Sequence, residues 1–157
     1  MAQAPQVIQL LTDTAGSFIH SEALSAAGSA IVPGMLVEEL AAGTVQEHST
    51  AAGNAQKLFA LSDLSNAGTI DDAYPVGANV RYGCAHSGQE VYALLAASAA
   101  AVVKGAPLQS AGDGTLRVLA TSAATSQAQR NGIVAYALEA VDNSAGGSLA
   151  RIKVRVA

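Results

Sequence analysis

The chain has few of the residues that usually carry chemistry. Among its 157 residues there is one cysteine, Cys84, so no disulfide can form within the chain and nothing favours an oxidising compartment. Tryptophan is absent, aromatic residues are 4% and charged residues 13%, about half the charged share of an ordinary soluble domain. Much of the 50% hydrophobic content is alanine, which buries little area per residue. A protein with a core of this kind is expected to gain further stability by packing against a partner.

The charge balance excludes other classes of partner. The net charge is −4 and the pI about 5.2, so the chain has no basic surface for phosphates and we expect no direct binding of nucleic acid. The first residues lack the basic and apolar segments of a secretory signal. The longest apolar run, 91–103, is interrupted by Ser98 and is too short to span a bilayer, so we expect no membrane association. These features favour a protein that assembles in a cytoplasm and contacts other proteins.

Short apolar runs separated by glycine turns predict an all-β chain. Turn residues at Pro33-Gly34 and at Asp113-Gly114 separate such runs, and 121–131 is a polar connection. The alanine-rich stretch 92–103 could form a helix, but it lacks a capping box, so we favour a strand, a connection and a second strand. We expect a small antiparallel barrel or sandwich with a partly extended N-terminal arm.

The pattern of strands and turns occurs twice, in residues 30–95 and again in 101–157. In each copy a short apolar strand ends at glycine, an Ala-Leu strand follows, and a glycine turn opens the last strand. Two small barrels or one barrel of two similar halves would both give this pattern. We favour a single β-rich domain over residues 30–157.

Residues 1–29 differ from the remainder, because 23–29 contains only small residues without periodicity apart from Leu24. We interpret the segment as an arm that becomes ordered against a neighbour; an edge strand and loop of the same domain is the alternative. Its apolar run supplies four candidate residues for contact with a capsid or a sister subunit: Val7, Ile8, Leu10 and Leu11.

The last strand alternates strictly between apolar and basic residues. Ile152, Val154 and Val156 point one way, which predicts an antiparallel strand with one wet face. The opposite side carries three further candidate contact residues, Arg151, Lys153 and Arg155. An ordinary solvated face, or charge that prevents edge-to-edge aggregation, is the alternative interpretation.

No motif of a known active site is present. Cys84 and His86 would lie on the same side of a strand, but a pair at this spacing is a weak signal for a nucleophile and its base. The run 142–144 could offer oxygens to calcium, although an Asx turn explains it more simply. We therefore expect no enzyme, no cofactor and no metal, and we assign no catalytic residues.

The second copy resembles the capsid cement, or head decoration, proteins of tailed bacteriophages. The likeness rests on the progression Val102-Val103-Lys104-Gly105, Asp113-Gly114-Thr115, Gly132-Ile-Val-Ala-Tyr-Ala-Leu-Glu139, Gly147 and Ile152-Lys-Val-Arg-Val156. It covers residues 76–157, and residues 30–75 more loosely. The first copy departs from the pattern, with Pro33 before its glycine and Ser62 in the place of Glu139.

The resemblance implies a structural protein of the virion that binds the exterior of an icosahedral capsid, assembled in the host cytoplasm. Its partners would be the major capsid protein and copies of itself, usually as a trimer and sometimes as a dimer. Another β-rich virion component, a fibre or tail protein, is the first alternative. A small ligand-binding β-barrel is the second.

Overall fold

The computed structural model describes residues 6–10, 19–26, 28, 30–119 and 127–157, and it confirms an all-β fold. In these ranges the ten strands run in this order: β1 (Ile19–Leu24), β2 (Leu36–Glu39), β3 (Val45–Glu47), β4 (Leu58–Ala60), β5 (Asn79–Cys84), β6 (Glu90–Leu95), β7 (Pro107–Ser110), β8 (Leu116–Val118), β9 (Ile133–Ala137) and β10 (Ala150–Val156). A 3₁₀ turn at Leu64–Asn66 and a short helix, α1 (Gln127–Asn131), are the helical elements of the described residues. Helix α1 lies in the connection for which the sequence predicted no regular structure.

The strands form two five-stranded units. The first unit, β1–β5, is an antiparallel sheet in the order β1-β5-β4-β2-β3. The second unit, β6–β10, is a closed barrel whose order, read from β6, is β6-β10-β9-β7-β8. One unit therefore repeats the strand order of the other. The barrel closes through a parallel pair between Leu95 and Leu116, and a parallel bridge between Ser25 and Val45 joins the two ends of the first sheet.

Individual hydrogen bonds repeat as well. Gly34 donates to the Ala60 carbonyl at 2.8 Å, and Gly105 donates to the Ala137 carbonyl at the same distance. Both glycines have a positive φ, +93° and +85°, a backbone conformation that side chains disfavour. Gly34 and Gly105 thus mark equivalent turns of the two units, but the last strand of the first copy in the sequence is β6, which belongs to the second unit, and the strand equivalent to β10 is β5.

Alternation along the strands builds the barrel core. Ile152 and Val154 of β10 are fully buried and Val156 is 2% exposed, which confirms the predicted inward face of this strand. On β6, Val91, Ala93 and Leu95 point inward in the same way. The alanine-rich stretch after β6 forms a turn and not a helix, as the sequence predicted.

The two units share part of their core. The first unit has its own apolar cluster around Val37, Leu58 and Val80. Leu36 and Phe59, their neighbours on β2 and β4, belong instead to a second cluster, which also contains the inward residues of the barrel. The first unit therefore contributes side chains to both clusters.

Candidate interaction surface

The N-terminal segment is part of the fold where the structure describes it. Ile8 is 2% exposed and joins the barrel cluster, while its carbonyl accepts a hydrogen bond from Tyr92 at 2.7 Å. Leu10 donates to the Glu90 carbonyl at 3.0 Å and is half-buried. Leu11 lies outside the described residues, and of the other three apolar candidates Val7 is the one that is exposed.

Strand β1 also belongs to the first unit. It pairs with β5 along its whole length, from Ile19 opposite Cys84 to Leu24 opposite Asn79. Residues 19–24 therefore have the arrangement of the alternative interpretation, an edge strand of the same domain. A groove of about 210 Å³ lies beside this strand, lined in part by Val7, His20 and Leu64. This volume is below the range of about 300–1,000 Å³ usual for small-molecule sites.

Arg151, the first of the three basic candidates, is a bridge between the units. Its side chain is 13% exposed and lies 3.2 Å from the Asp71 carboxylate. The guanidinium donates to the Pro33 carbonyl at 3.0 Å, donates to the Ile70 carbonyl, and sits 5.7 Å from the centre of the Tyr92 ring. The hydrogen-bond donors and the planar face of the Arg151 guanidinium are therefore engaged in contacts within the chain.

The other two basic candidates are paired but more accessible. Lys153 lies 3.9 Å from Glu139, and Arg155 lies 2.7 Å from Glu90. Their side chains are 41% and 54% exposed. The basic face of β10 is therefore neutralised by carboxylates of this chain, which leaves it poorly suited to an acidic partner.

A buried polar cluster that the sequence did not predict joins the units. His48 Nδ1 lies 2.8 Å from Ser110 Oγ although the two residues are 62 positions apart, and His48 Nε2 lies 3.1 Å from the Asn54 carbonyl and 3.9 Å from Glu38. Burial alone would raise the pKa of Glu38, but hydrogen bonds from Gln46 and Ser49, together with His48, hold it below its ordinary value.

Serine, histidine and glutamate in this arrangement resemble a nucleophile with its base. However, Ser110 is fully buried and His48 is 2% exposed, so no substrate reaches the hydroxyl in this structure. Ser110 Oγ also accepts a hydrogen bond from Gly112 at 3.1 Å. The cluster therefore ties the β7–β8 turn to the first unit.

The remaining candidates for chemistry do not converge. Cys84 is half-buried near the Gln56 carbonyl, while His86 is exposed, and among the described residues no contact joins the two. Asp142 accepts hydrogen bonds from the backbone and hydroxyl of Ser144, at 3.0 and 2.6 Å, which is the expected Asx turn and lowers the pKa of its carboxyl. The described residues contain no group of three metal-ligating side chains and no helix able to cross a membrane.

The surface of this molecule carries exposed apolar side chains that a partner could contact. Among the described residues, eight large apolar side chains are exposed: Val7, Ile19, Leu24, Leu64, Val76, Val103, Tyr136 and Leu149. Single exposed side chains are normal on a soluble protein. A possible interaction surface is therefore judged from where these side chains lie on the two units, and not from how many there are.

Comparison with known proteins gives a structural likeness. No family model matches the chain, and no curated protein does. Among solved structures the chain is similar to the head fiber gp8.5 N base of bacteriophage phi29, with a TM-score of 0.50 and 13% sequence identity. The match covers 88% of this chain and 95% of that chain. The two chains share a fold.

Proposed function

We propose that this chain is a structural, non-enzymatic protein of a phage virion that binds the exterior of the capsid. The observation that carries the proposal is the shared fold with a head fiber base, which extends over nearly the whole of both chains. The turn motifs of the second unit, which resemble those of head decoration proteins, support the same location. The few charges and exposed apolar side chains suit contacts with protein.

Two roles at that location follow from different observations. The likeness to a head fiber base favours an attachment module, which holds a further component on the shell. The sequence resemblance favours a cement protein, which binds the major capsid protein as an oligomer, a trimer or a dimer, and reinforces the shell. Multivalent binding would let modest contacts hold an oligomer firmly.

Binding and reinforcement can be separated in one experiment. Capsids of the phage that encodes the chain, assembled without it, are mixed with the purified protein, sedimented, and heated while release of DNA is followed. A cement protein co-sediments and raises the temperature of release, whereas an attachment base co-sediments and leaves that temperature unchanged. Failure to co-sediment at any ratio would overturn the proposal.

The capsid-binding surface is mapped with point variants. Deletion of residues 1–29 would remove β1 and Ile8 from the fold, so it cannot separate binding from folding. Val7→Asp and Leu149→Asp change exposed side chains and should leave the fold intact. A more than tenfold loss of capsid binding by either variant would assign that side chain to the interface.

A further inference from the structure

The junction between the two units joins two different faces. One is the outer side of β6, where Leu94 is 4% exposed and donates its N–H to the Gly34 carbonyl at 3.2 Å. Arg151, opposite Leu94 on β10, reaches the Pro33 carbonyl from the same side. We call this side of the second unit the β6 face.

The other face is the outer side of β2 and β4. Leu36 and Phe59 point away from the interior of the first unit, are fully buried, and belong to the cluster of the barrel. The turn Pro33–Gly34 lies beside them and accepts the hydrogen bonds from the second unit. We call this side of the first unit the β4 face.

The repeat gives each face a counterpart in the other unit. The counterpart of the β6 face is the outer side of β1, because β1 and β6 occupy the same place in the strand order. Leu24 of β1 corresponds to Leu94 of β6, because each precedes the residue that forms the parallel closing bridge of its unit. That residue is Ser25 in the first unit and Leu95 in the second. The partners across the strand pair, Asn79 and Arg151, correspond in the same way. Leu24 is 59% exposed, whereas Leu94 is buried.

The backbone of β1 has an outward-pointing N–H group at the same place, on Leu24. Ser25 donates its N–H toward β5, to Ala78, so the alternation of an antiparallel strand directs the N–H of Leu24 outward. No acceptor for this N–H is found in the part of the chain that the structure describes. The equivalent N–H of Leu94 is satisfied by Gly34.

The counterpart of the β4 face lies on the second unit and is also uncovered. Ala60 and Ala137 accept equivalent hydrogen bonds, so Tyr136 corresponds to Phe59. Tyr136 is 44% exposed, whereas Phe59 is fully buried. Beside Tyr136 in the strand order is β7, whose preceding turn carries Gly105 and the 66% exposed Val103. Both halves of the junction thus recur on the surface without a partner among the described residues.

We propose that copies of this chain associate head to tail, with the second unit of one copy docked on the first unit of the next as the two units dock within a chain. Tyr136 and Val103 of one copy then cover Leu24 of its neighbour, and the outward N–H of Leu24 bonds to the Gly105 carbonyl. A contact between unlike faces produces a closed ring or a filament. The proposal uses only the repeat and does not depend on the phage assignment.

The two junctions are similar and not identical. Within the chain, Leu36 donates its N–H to the Gly114 carbonyl at 2.7 Å, but its counterpart is Pro107, which has no N–H. The junction between copies therefore relies more on apolar contact. Pairing of two β1 edges about a two-fold axis is the competing arrangement, but it would leave Tyr136 and Val103 uncovered, so the observations favour the head-to-tail contact.

A complementation experiment tests the contact. Leu24→Arg and Tyr136→Arg each remove one of the two faces and leave the other intact. In native mass spectrometry we expect the wild-type chain to form oligomers and each variant alone to be monomeric, with association weakened at least tenfold. A mixture of the two variants retains one intact pair of faces and should give a 1:1 dimer and nothing larger.

The controls make each outcome decisive. Val76→Arg changes a side chain that is 60% exposed and is not one of the proposed contact residues Leu24, Tyr136 and Val103, and it should assemble like the wild type. Circular dichroism and thermal unfolding establish that the variants are folded. A monomeric wild-type chain, or a variant mixture that stays monomeric, would overturn the proposal. Wild-type assembly by Tyr136→Arg with a monomeric Leu24→Arg would instead establish the symmetric β1 contact.

Discussion

At the scale of single residues, polar groups in this protein act mainly as connections. Arg151 ties β10 to the Pro33 turn and to the 70–71 loop. His48 and Ser110 tie the β7–β8 turn to the first unit. Tyr74 and Tyr82 are buried beside the core of the first unit, and their hydroxyls donate to the Leu61 carbonyl at 2.8 Å and to Glu39 at 2.6 Å. A small alanine-rich core thus gains fixed geometry from a few polar side chains.

These two tyrosines predict sensitivity to alkali. Burial raises the pKa of Tyr74 from 10.0 to about 12, and burial together with the bond to Glu39 raises the pKa of Tyr82 to about 12. Between pH 10 and pH 12 the tyrosines of the unfolded chain have released protons that the folded chain retains. The free energy of unfolding therefore falls as the pH rises through this range. The contribution of these two hydroxyls should be constant at neutral pH and decline as the pH rises from 10 to 12.

Denaturation with urea across this pH range measures the effect. Tyr82→Phe should lower the free energy of unfolding at neutral pH, because it removes the hydrogen bond to Glu39, and should also flatten the alkaline decline. The double variant with Tyr74→Phe should flatten it further. An alkaline slope as steep in the double variant as in the wild type would contradict this account.

At the scale of elements, the equivalent turns before β2 and β7 differ in what surrounds them. Gly34 and Gly105 both have a positive φ, but a Cβ at Gly34 would lie 2.9 Å from the Tyr92 carbonyl, whereas nothing lies within 4 Å of one at Gly105. Gly105→Ala should therefore lose about 1–2 kcal/mol of unfolding free energy, the cost of a side chain in this backbone region. Gly34→Ala should lose more, because the junction must also move.

Urea denaturation of the two variants, at protein concentrations low enough to keep the chain monomeric, compares these losses directly. Gly105→Ala serves as the matched control, since it carries the backbone cost without the close contact. Equal losses would show that the junction adapts freely around Gly34.

The sequence predicted those elements whose signals are local. Strand β10 was predicted from its alternation, and the turns at Gly34 and Gly105 from their glycines. Strand β1 was hard to predict, because it is an edge strand with most side chains exposed and so lacks an alternating apolar pattern. The burial of Ile8, the pairing of His48 with Ser110 and the connecting role of Arg151 depend on residues distant in sequence, which no local pattern reports.

At the scale of the whole molecule, the repeat explains both the compactness of the chain and its uncovered surfaces. The two units dock through unlike faces, the β6 face of the second unit and the β4 face of the first. The counterpart of each of these faces remains uncovered. A capsid-bound protein that associates through these remaining faces would present several equivalent copies to the shell. This arrangement is compatible with an attachment base and with a cement protein, and the heating experiment separates them.

The shared core predicts that the two units unfold together. Phe59 lies on β4 of the first unit but packs in the barrel cluster, so Phe59→Ala should lower the stability of both units, by about 3–5 kcal/mol. Amide hydrogen exchange measures this: protection in β5 and in β10 should fall by the same free energy. Tyr136→Ala, at the equivalent position of the second unit, is the matched control, and because its side chain is 44% exposed the dilute monomer should lose far less. Loss of protection confined to β5, with β10 unaffected, would mean that the units are independent and that the junction contributes little to the stability of the barrel.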